Sequence, residues 1–198
     1  DNAQLLTTYS NAYLSSKKPL YKEVVEKTVA FILKNWKDAS GGFYTAYDAD
    51  SINSKNKLEE GAYYYWTLDE LKKLIEKEEW DLFVDTFSIN RYGFWEEANA
   101  YVLFQQNDLK TIATKHNCTQ DNVQVLKNKW EKLLLKEREN RQKPLLDDKI
   151  IISWNAQLLS GLLSASKISP STLLDKAIEG LATFLQFKAY KNDKLGRA

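Results

Sequence analysis

The sequence predicts a mainly α-helical fold built of helical hairpins, with only short strands in the loops between them. Three observations carry that prediction. Apolar side chains recur at helical spacing through most of the chain. A block near the start, Asn2-Ala3-Gln4-Leu5-Leu6, returns as Asn155-Ala156-Gln157-Leu158-Leu159, and the next helix keeps the same offset, with Val25 matching Ile178, Glu26 matching Glu179 and Phe31 matching Phe184. The composition is also that of a chain with a core: 43% of its 198 residues are apolar and 13% aromatic, with only seven Gly and three Pro to interrupt it. Repeated helical hairpins of this kind predict an α/α solenoid or a closed α/α toroid.

Residues 1–15 read as the first helix, with Leu5, Leu6, Tyr9, Ala12 and Tyr13 near one face, and Ser16-Lys17-Lys18-Pro19 breaks it. Residues 21–36 form the second, whose Val24, Val25, Val29, Ile32 and Trp36 make a broad apolar stripe. A loop follows through Gly41-Gly42, with strand-like residues at 43–47. The aromatic run Tyr63-Tyr64-Tyr65-Trp66 reads as a short strand over 62–66. Thr67-Leu68-Asp69-Glu70 has the capping-box pattern, so a helix starts there, runs to about Glu79 and is extendable to Phe87. Residues 92–104 predict an irregular hairpin, 109–116 a short helix and 119–140 a long one stopped at Lys143-Pro144. Residues 152–166 and 171–190 are the last two helices, the second opened by Ser169-Pro170.

Charge and residue counts remove several classes of mechanism. A net charge of +1, from 28 basic and 27 acidic residues, supplies no field for neutralising phosphates, so no nucleic-acid partner is expected. No apolar run approaches the roughly 20 residues that span a bilayer, so no membrane partner is expected either. A lone Cys118 makes no internal disulfide, and a cytoplasmic location is the expectation. A lone His116 excludes a site needing two imidazoles, and neither a Walker A loop nor a GxGxxG is present, so neither metal nor cofactor is expected. The absence of any Met is what a piece of a longer chain would show.

Three places carry candidate chemistry. Asn2 and Asn155 hold equivalent positions at two helix starts, the second beside Trp154. Each Asn either caps its helix or satisfies a buried carbonyl, or, at the cavity end of an inner helix, it joins Trp154 in gripping a sugar-like ligand. The second place is Asp48-Ala49-Asp50, two acids that point the same way on an extended segment. They suit a cation, an acid/base pair or loop capping; a glycosidase would need two carboxylates roughly 5 to 9.5 Å apart. Glu59-Glu60-Gly61 and Tyr64-x-Trp66 lie just downstream and complete a wall. The third place is Asp147-Asp148-Lys149, either an ion pair locking a loop or a base and clamp in a cleft. His116, in a polar helix end, reads as an exposed cap.

Four blocks resemble one family in order: Asp1-Asn2-Ala3-Gln4-Leu5; Gly41-Gly42-Phe43-Tyr44-x-Ala46-x-Asp48-Ala49-Asp50-Ser51; Glu60-Gly61-x-Tyr63-Tyr64-x-Trp66-Thr67; and Arg141-x-x-Pro144-x-x-Asp147-Asp148-Lys149-x-x-x-Ser153-Trp154-Asn155. The resemblance is to the YyaL-like (spermatogenesis-associated protein 20) family. It implies that residues 1–198 are a fragment of a single domain, a six-hairpin α/α toroid similar to N-acylglucosamine 2-epimerases and α/α-toroid glycosidases. It further implies a thioredoxin-like domain outside this chain, and a carbohydrate-processing ancestry. Where the family reads Gly-Asn-(Phe or Trp)-Glu and then Asn-Ile-Leu-His, this chain has Gly93-Phe94-Trp95-Glu96 and Asn99-Ala100-Tyr101-Val102-Leu103-Phe104, so both the Asn and the closing His are missing. The epimerases carry protons on histidines, and His116 lies outside every matched block. Ala156 stands where the family favours Gly.

Two readings of function follow. In the first, a sugar-binding or sugar-processing toroid uses Asp48, Asp50, Asp147, Asp148 and Lys149 as catalytic groups, with Asn2, Glu60, Tyr64, Trp66, Trp154 and Asn155 binding substrate. In the second, a non-catalytic module serves the thioredoxin-like domain and carries an aromatic patch on its outside. The first requires Asp48 or Asp50, Trp66, Asp148 and Asn155 around one concavity, with Lys149 paired to a carboxylate. A partial toroid also predicts apolar exposure around residues 5–13 and 184–190, or self-association that hides it.

Overall fold

A left-handed lysine and a proline set the first helical turn-around. In the computed structural model, Lys17 (φ 56°) ends α1 (Asn2–Ser16), its amide donating to the Tyr13 carbonyl, and Pro19 opens α2 (Pro19–Asn35), where its missing N–H costs nothing. The structure describes residues 1–187, and 190–191 and 194–195 as backbone. Strands β1 (Ala46–Tyr47), β2 (Asp50–Ile52) and β3 (Leu58–Glu60) precede α3 (Leu68–Leu74). A 3₁₀ turn at Lys77–Glu79 leads into α4 (Trp80–Thr86), and β4 (Phe94–Trp95) pairs with β5 (Ala100–Tyr101). Then come α5 (Leu109–Lys115), α6 (Gln120–Glu139), β6 (Leu146–Asp147), α7 (Ile152–Ser166) and α8 (Thr172–Phe187), followed by the two-residue strands β7 (Tyr190–Lys191) and β8 (Lys194–Leu195). Among the described residues every sheet has two strands, so the fold is mainly helical, as the periodicity predicts.

Caps seen in the sequence form as expected. The Thr67 side chain accepts from the Glu70 amide while the Glu70 carboxylate accepts from the Thr67 amide, a closed capping box. Asp108 and Thr119 cap α5 and α6 by accepting from the amides of Thr111 and Asn122. Three details differ from the sequence reading. Residues 62–66 are not a strand: they form turns after Gly61, and only Trp66 bridges to Tyr101. Ala62, Tyr63 and Trp66 are buried and Tyr64 exposed, a pattern without the alternation a strand needs. The predicted helix over 67–79 stops at Ile75, which turns extended and keeps its side chain in the core. The β2–β3 hairpin has no counterpart in the sequence reading, because its three-residue strands are mostly polar and too short to show an alternation.

The chain divides into two compact units, residues 1–47 with 146–198, and residues 48–145. In the first, α1 packs on both α2 and α7, and α7 on α8. Its core includes Leu6, Val25, Ile32, Phe43, Leu162, Leu174, Leu181 and Phe184. Two glycines let backbones approach closely: a Cβ on Gly161 of α7 would stand 2.6 Å from the Ala3 carbonyl oxygen of α1, and one on Gly41 (φ 95°) 2.7 Å from the Gly180 carbonyl oxygen of α8. Phe31 is half-buried and meets Trp36 edge-on, centroids 5.0 Å apart.

The predicted end exposure is found in part. Within residues 5–13, Leu5 is 45% exposed, whereas Leu6 is buried and Tyr9 and Tyr13 pack on the core. Phe184 is buried and Phe187 exposed; the Tyr190 side chain lies outside the described residues.

The second unit has its own core of Trp66, Leu71, Ile75, Phe83, Phe87, Ile89, Trp130 and Leu134, in which Phe83 meets Trp130 edge-on at 5.4 Å. The Trp130 indole N–H and Lys129 both donate to Glu79, each at 2.7 Å. A smaller cluster of Ile112, Ala113 and Val123 joins α5 to α6.

Candidate functional site

In the first unit, the chain leaving α2 and the chain entering α7 are laced together. Thr45 donates its amide to the Asp147 carbonyl oxygen, and β1 pairs antiparallel with β6, Ala46 opposite Asp147. Asn155, 2% exposed in the first turn of α7, accepts from the Phe43 amide at 2.8 Å. It donates to the carbonyls of Phe43 at 2.9 Å and Ile151 at 3.0 Å. Its amide is thus occupied by the backbone, which is the buried-carbonyl role open to it in the sequence. Asn2, its repeat counterpart, is half-buried in the first turn of α1. Trp154 is 53% exposed.

This lacing assembles a polar group. The Tyr44 hydroxyl donates to Asp38 at 2.6 Å, and the Ser40 amide donates to the same carboxylate at 2.7 Å. The Ser40 side chain beside it, the Tyr44 hydroxyl and the Ser40 amide hold the Asp38 carboxyl down at about 2. The same bond to Asp38 raises the Tyr44 phenol above its ordinary value, and the Asp148 charge adds to the rise. Lys149 pairs with Asp147 at 3.1 Å, and this bond, with the Lys149 amide and Thr45, holds Asp147 below the usual carboxylate range. The expected lysine–carboxylate pair is present, but at the surface: the Lys149 side chain is 73% exposed, so burial is not what selects its partner. Asp148 is also exposed.

The second unit holds the other candidates. Asp48 is exposed, and its side chain accepts from the Asp50 amide at 3.0 Å, a loop-capping contact. Asp50 starts β2 directly opposite Glu60 of β3, which puts like charges across the pair. The hairpin loop turns on Asn53, whose side chain accepts from the amides of Lys55 and Lys57 and donates to Glu59. Tyr64 is 37% exposed, with the Arg138 guanidinium 5.5 Å from its ring centre. Trp66 is 4% exposed and lies under the Arg141 guanidinium at 4.0 Å, so its ring has a partner within the fold.

In the sequence Arg141 stands only as part of a motif, and its structural role needs the tertiary fold to be seen. It donates to the carbonyls of Ala62, Tyr63 and Tyr65, and to Glu70 at 3.0 Å. Burial lowers its pKa, opposed by Glu70. Burial, then the adjacent Glu59 carboxylate, raises the Tyr65 phenol. Arg141, Tyr65, Glu59 and Glu70 line an open cleft of about 960 Å³ with the β2–β3 loop, the β4–β5 turn and Gln142. Of the residues the sequence put in a candidate wall, Glu59 lines it and Glu60, Tyr64 and Trp66 do not.

His116 is not an exposed cap. It ends α5 with its side chain 20% exposed and its Nε2 2.6 Å from Asp85, which also pairs with Lys115 at 2.7 Å. Burial raises the Asp85 carboxyl, but these two partners outweigh it and hold the group below its ordinary value. Among the described residues, no three His, Cys, Asp or Glu side chains are grouped to hold a metal, and no helix is long and apolar enough to cross a membrane.

No family model matches the chain. It is similar to spermatogenesis-associated protein 20 of Homo sapiens, 29% identical over 94% of this chain and 26% of the relative, and to that of Mus musculus, 28% identical over the same shares. An uncharacterized protein of Caenorhabditis elegans is 30% identical over 100% of this chain and 30% of its own length. The chain therefore spans about a quarter of the length of the spermatogenesis-associated relatives it matches. Those similarities agree with the resemblance carried by the four sequence blocks.

Proposed function

We propose that the chain is part of a helical-hairpin toroid whose 1–47 and 146–198 unit binds a sugar-like ligand at the start of α7. The observation that carries this reading is the lacing of residues 43–47 to residues 146–155. It puts Tyr44 and Asp38 within the field of Asp148 and pairs the same loop with the strand that holds Asp147; the exposed Trp154 directly precedes Asn155, which binds the Phe43 backbone. Hydroxyl and carboxylate groups suit the hydroxyls of a sugar, and an exposed indole suits its apolar face. Binding is favoured over proton transfer. Asp38 and Asp147 are held ionised and Tyr44 protonated, so at neutral pH these three act as fixed acceptors and a donor.

A thermal-shift screen of the protein against mono- and disaccharides, followed by titration calorimetry of any hit, tests this. Trp154→Ala and Asp148→Asn should each weaken binding about tenfold, or about 1.4 kcal/mol, while leaving the unfolding midpoint unchanged. A panel in which no sugar raises the midpoint at millimolar concentration would overturn it.

One observation favours the second reading, an interaction module. In the 48–145 unit, Tyr92, Phe94, Val102 and Phe104 are 60%, 37%, 45% and 40% exposed around the β4–β5 hairpin, and Arg91 stacks on Tyr92. Exposed aromatics beside arginine have the composition of a protein-binding hot spot. Titration with the thioredoxin-like domain implied by the resemblance checks it, using a Phe94→Ser, Phe104→Ser variant as control.

A further inference from the structure

The proposed sugar site leaves the cleft of the 48–145 unit unused, and the cleft's charges are sorted by whether they already have partners. Glu70 is committed to Arg141 and to the α3 cap, and Arg141 to three carbonyls. Glu59 is committed to Asn53 and Tyr65. Arg141 and Glu70 neutralise each other, whereas Glu59 keeps its charge and spends its oxygens on uncharged partners. Lys55 and Lys57, from the β2–β3 loop, and Glu97, from the β4–β5 turn, also line the cleft; all three are exposed and form no ion pair among the described residues. The groups left to meet a ligand are therefore two cations on one element and an anion on another.

That layout rejects a simple anion, which Glu97 and Glu59 would repel, and a simple cation, which Lys55 and Lys57 would repel. It suits a molecule that carries both signs, with polar groups between them for Asn99 and Gln142 to hydrogen-bond. The volume, about 960 Å³, is at the upper end of small-ligand sites. We propose that this cleft binds short zwitterionic peptides, with the ligand carboxylate at Lys55 and Lys57 and its amino group at Glu97.

The test is titration of the protein with tetraglycine, its N-acetylated form, its C-amidated form and maltotetraose, at low salt and at about 0.5 M salt, where screening shortens to a few ångströms. Tetraglycine should bind, and each capped form should bind at least fivefold more weakly. Glu97→Gln should abolish the penalty for acetylation and keep that for amidation; Lys55→Gln with Lys57→Gln should do the reverse. These surface changes leave the core and the Arg141 contacts untouched, so the unfolding midpoint should hold. Absence of tetraglycine binding, equal binding of all three peptides, insensitivity to salt, or a preference for maltotetraose would each overturn the proposal. The site is independent of Trp154 and Asp148, so their variants should leave tetraglycine binding unchanged whether or not the sugar reading holds.

Discussion

Asn155 uses both ends of its amide on the backbone of a loop more than a hundred residues away in sequence. Replacing it with Leu keeps much of its volume but strands the Phe43 amide and carbonyl in a buried setting. Each stranded group costs roughly 1–3 kcal/mol, so Asn155→Leu should lower stability by about 3 kcal/mol in urea unfolding. A loss under 1 kcal/mol would mean that water replaces the contacts. Asp38 allows a pH test with a defined sign. Its folded value near 2 lies below the ordinary carboxylate value of about 3.9, so its contribution is complete above pH 4 and is lost as pH falls toward 2. The stability gap between the wild type and Asp38→Asn should therefore be constant from pH 7 to 5 and shrink from about pH 4 downward. A gap that is flat to pH 2.5 would remove the Ser40 and Tyr44 contacts as its cause.

Between elements, the packing of α1 on α7 sets two effects against each other at Gly161. Alanine is the better helix former by about 1 kcal/mol, yet its Cβ would come 2.6 Å from the Ala3 carbonyl oxygen, which is backbone and cannot swing aside. Overpacking of that kind costs roughly 1–3 kcal/mol, so the clash wins and Gly161→Ala should lower the unfolding midpoint. A raised midpoint would show that the helices separate freely. At the start of α3, Glu70 serves both the capping box and Arg141. Thr67→Ala should cost about 1 kcal/mol, as caps do. Glu70→Ala should cost more, about 2 kcal/mol, because it also leaves the partly buried Arg141 short of its counter-charge. Equal losses for the two variants would confine Glu70 to capping.

At the scale of the molecule, the two units keep separate cores: no member of the Leu6–Phe184 cluster comes from residues 48–145, and every member of the Trp66–Leu134 cluster does. The second unit is also continuous in sequence, so it can be excised without cutting an element. A 48–145 fragment should show helical circular dichroism and one cooperative urea transition. A fragment without a transition would mean that its stability depends on the rest of the chain.

Local chemistry was legible in the sequence wherever one element suffices. The 3.6-residue periodicity placed α1, α2, α6 and α7 within a few residues of their ends, and Thr67 with Glu70 marked the start of α3, because a cap is made by groups three residues apart. The 153-residue offset likewise pointed to α1 and α7 as equivalents, and the two helices pack together. What depends on distant partners was decided only by the tertiary structure. The aromatic run 63–66 looks like a strand until the fold buries Tyr63 and Trp66 and leaves Tyr64 out. Arg141 is only one member of a motif until residues 62–65 present their carbonyls to it. Asn155 admitted two roles because an amide looks the same free or spent, and the loop at Phe43 settled how it is spent. The physical reason is common to all three. Periodicity and capping are interactions within one element, whereas burial and hydrogen-bond satisfaction are set by whichever backbone the fold brings alongside.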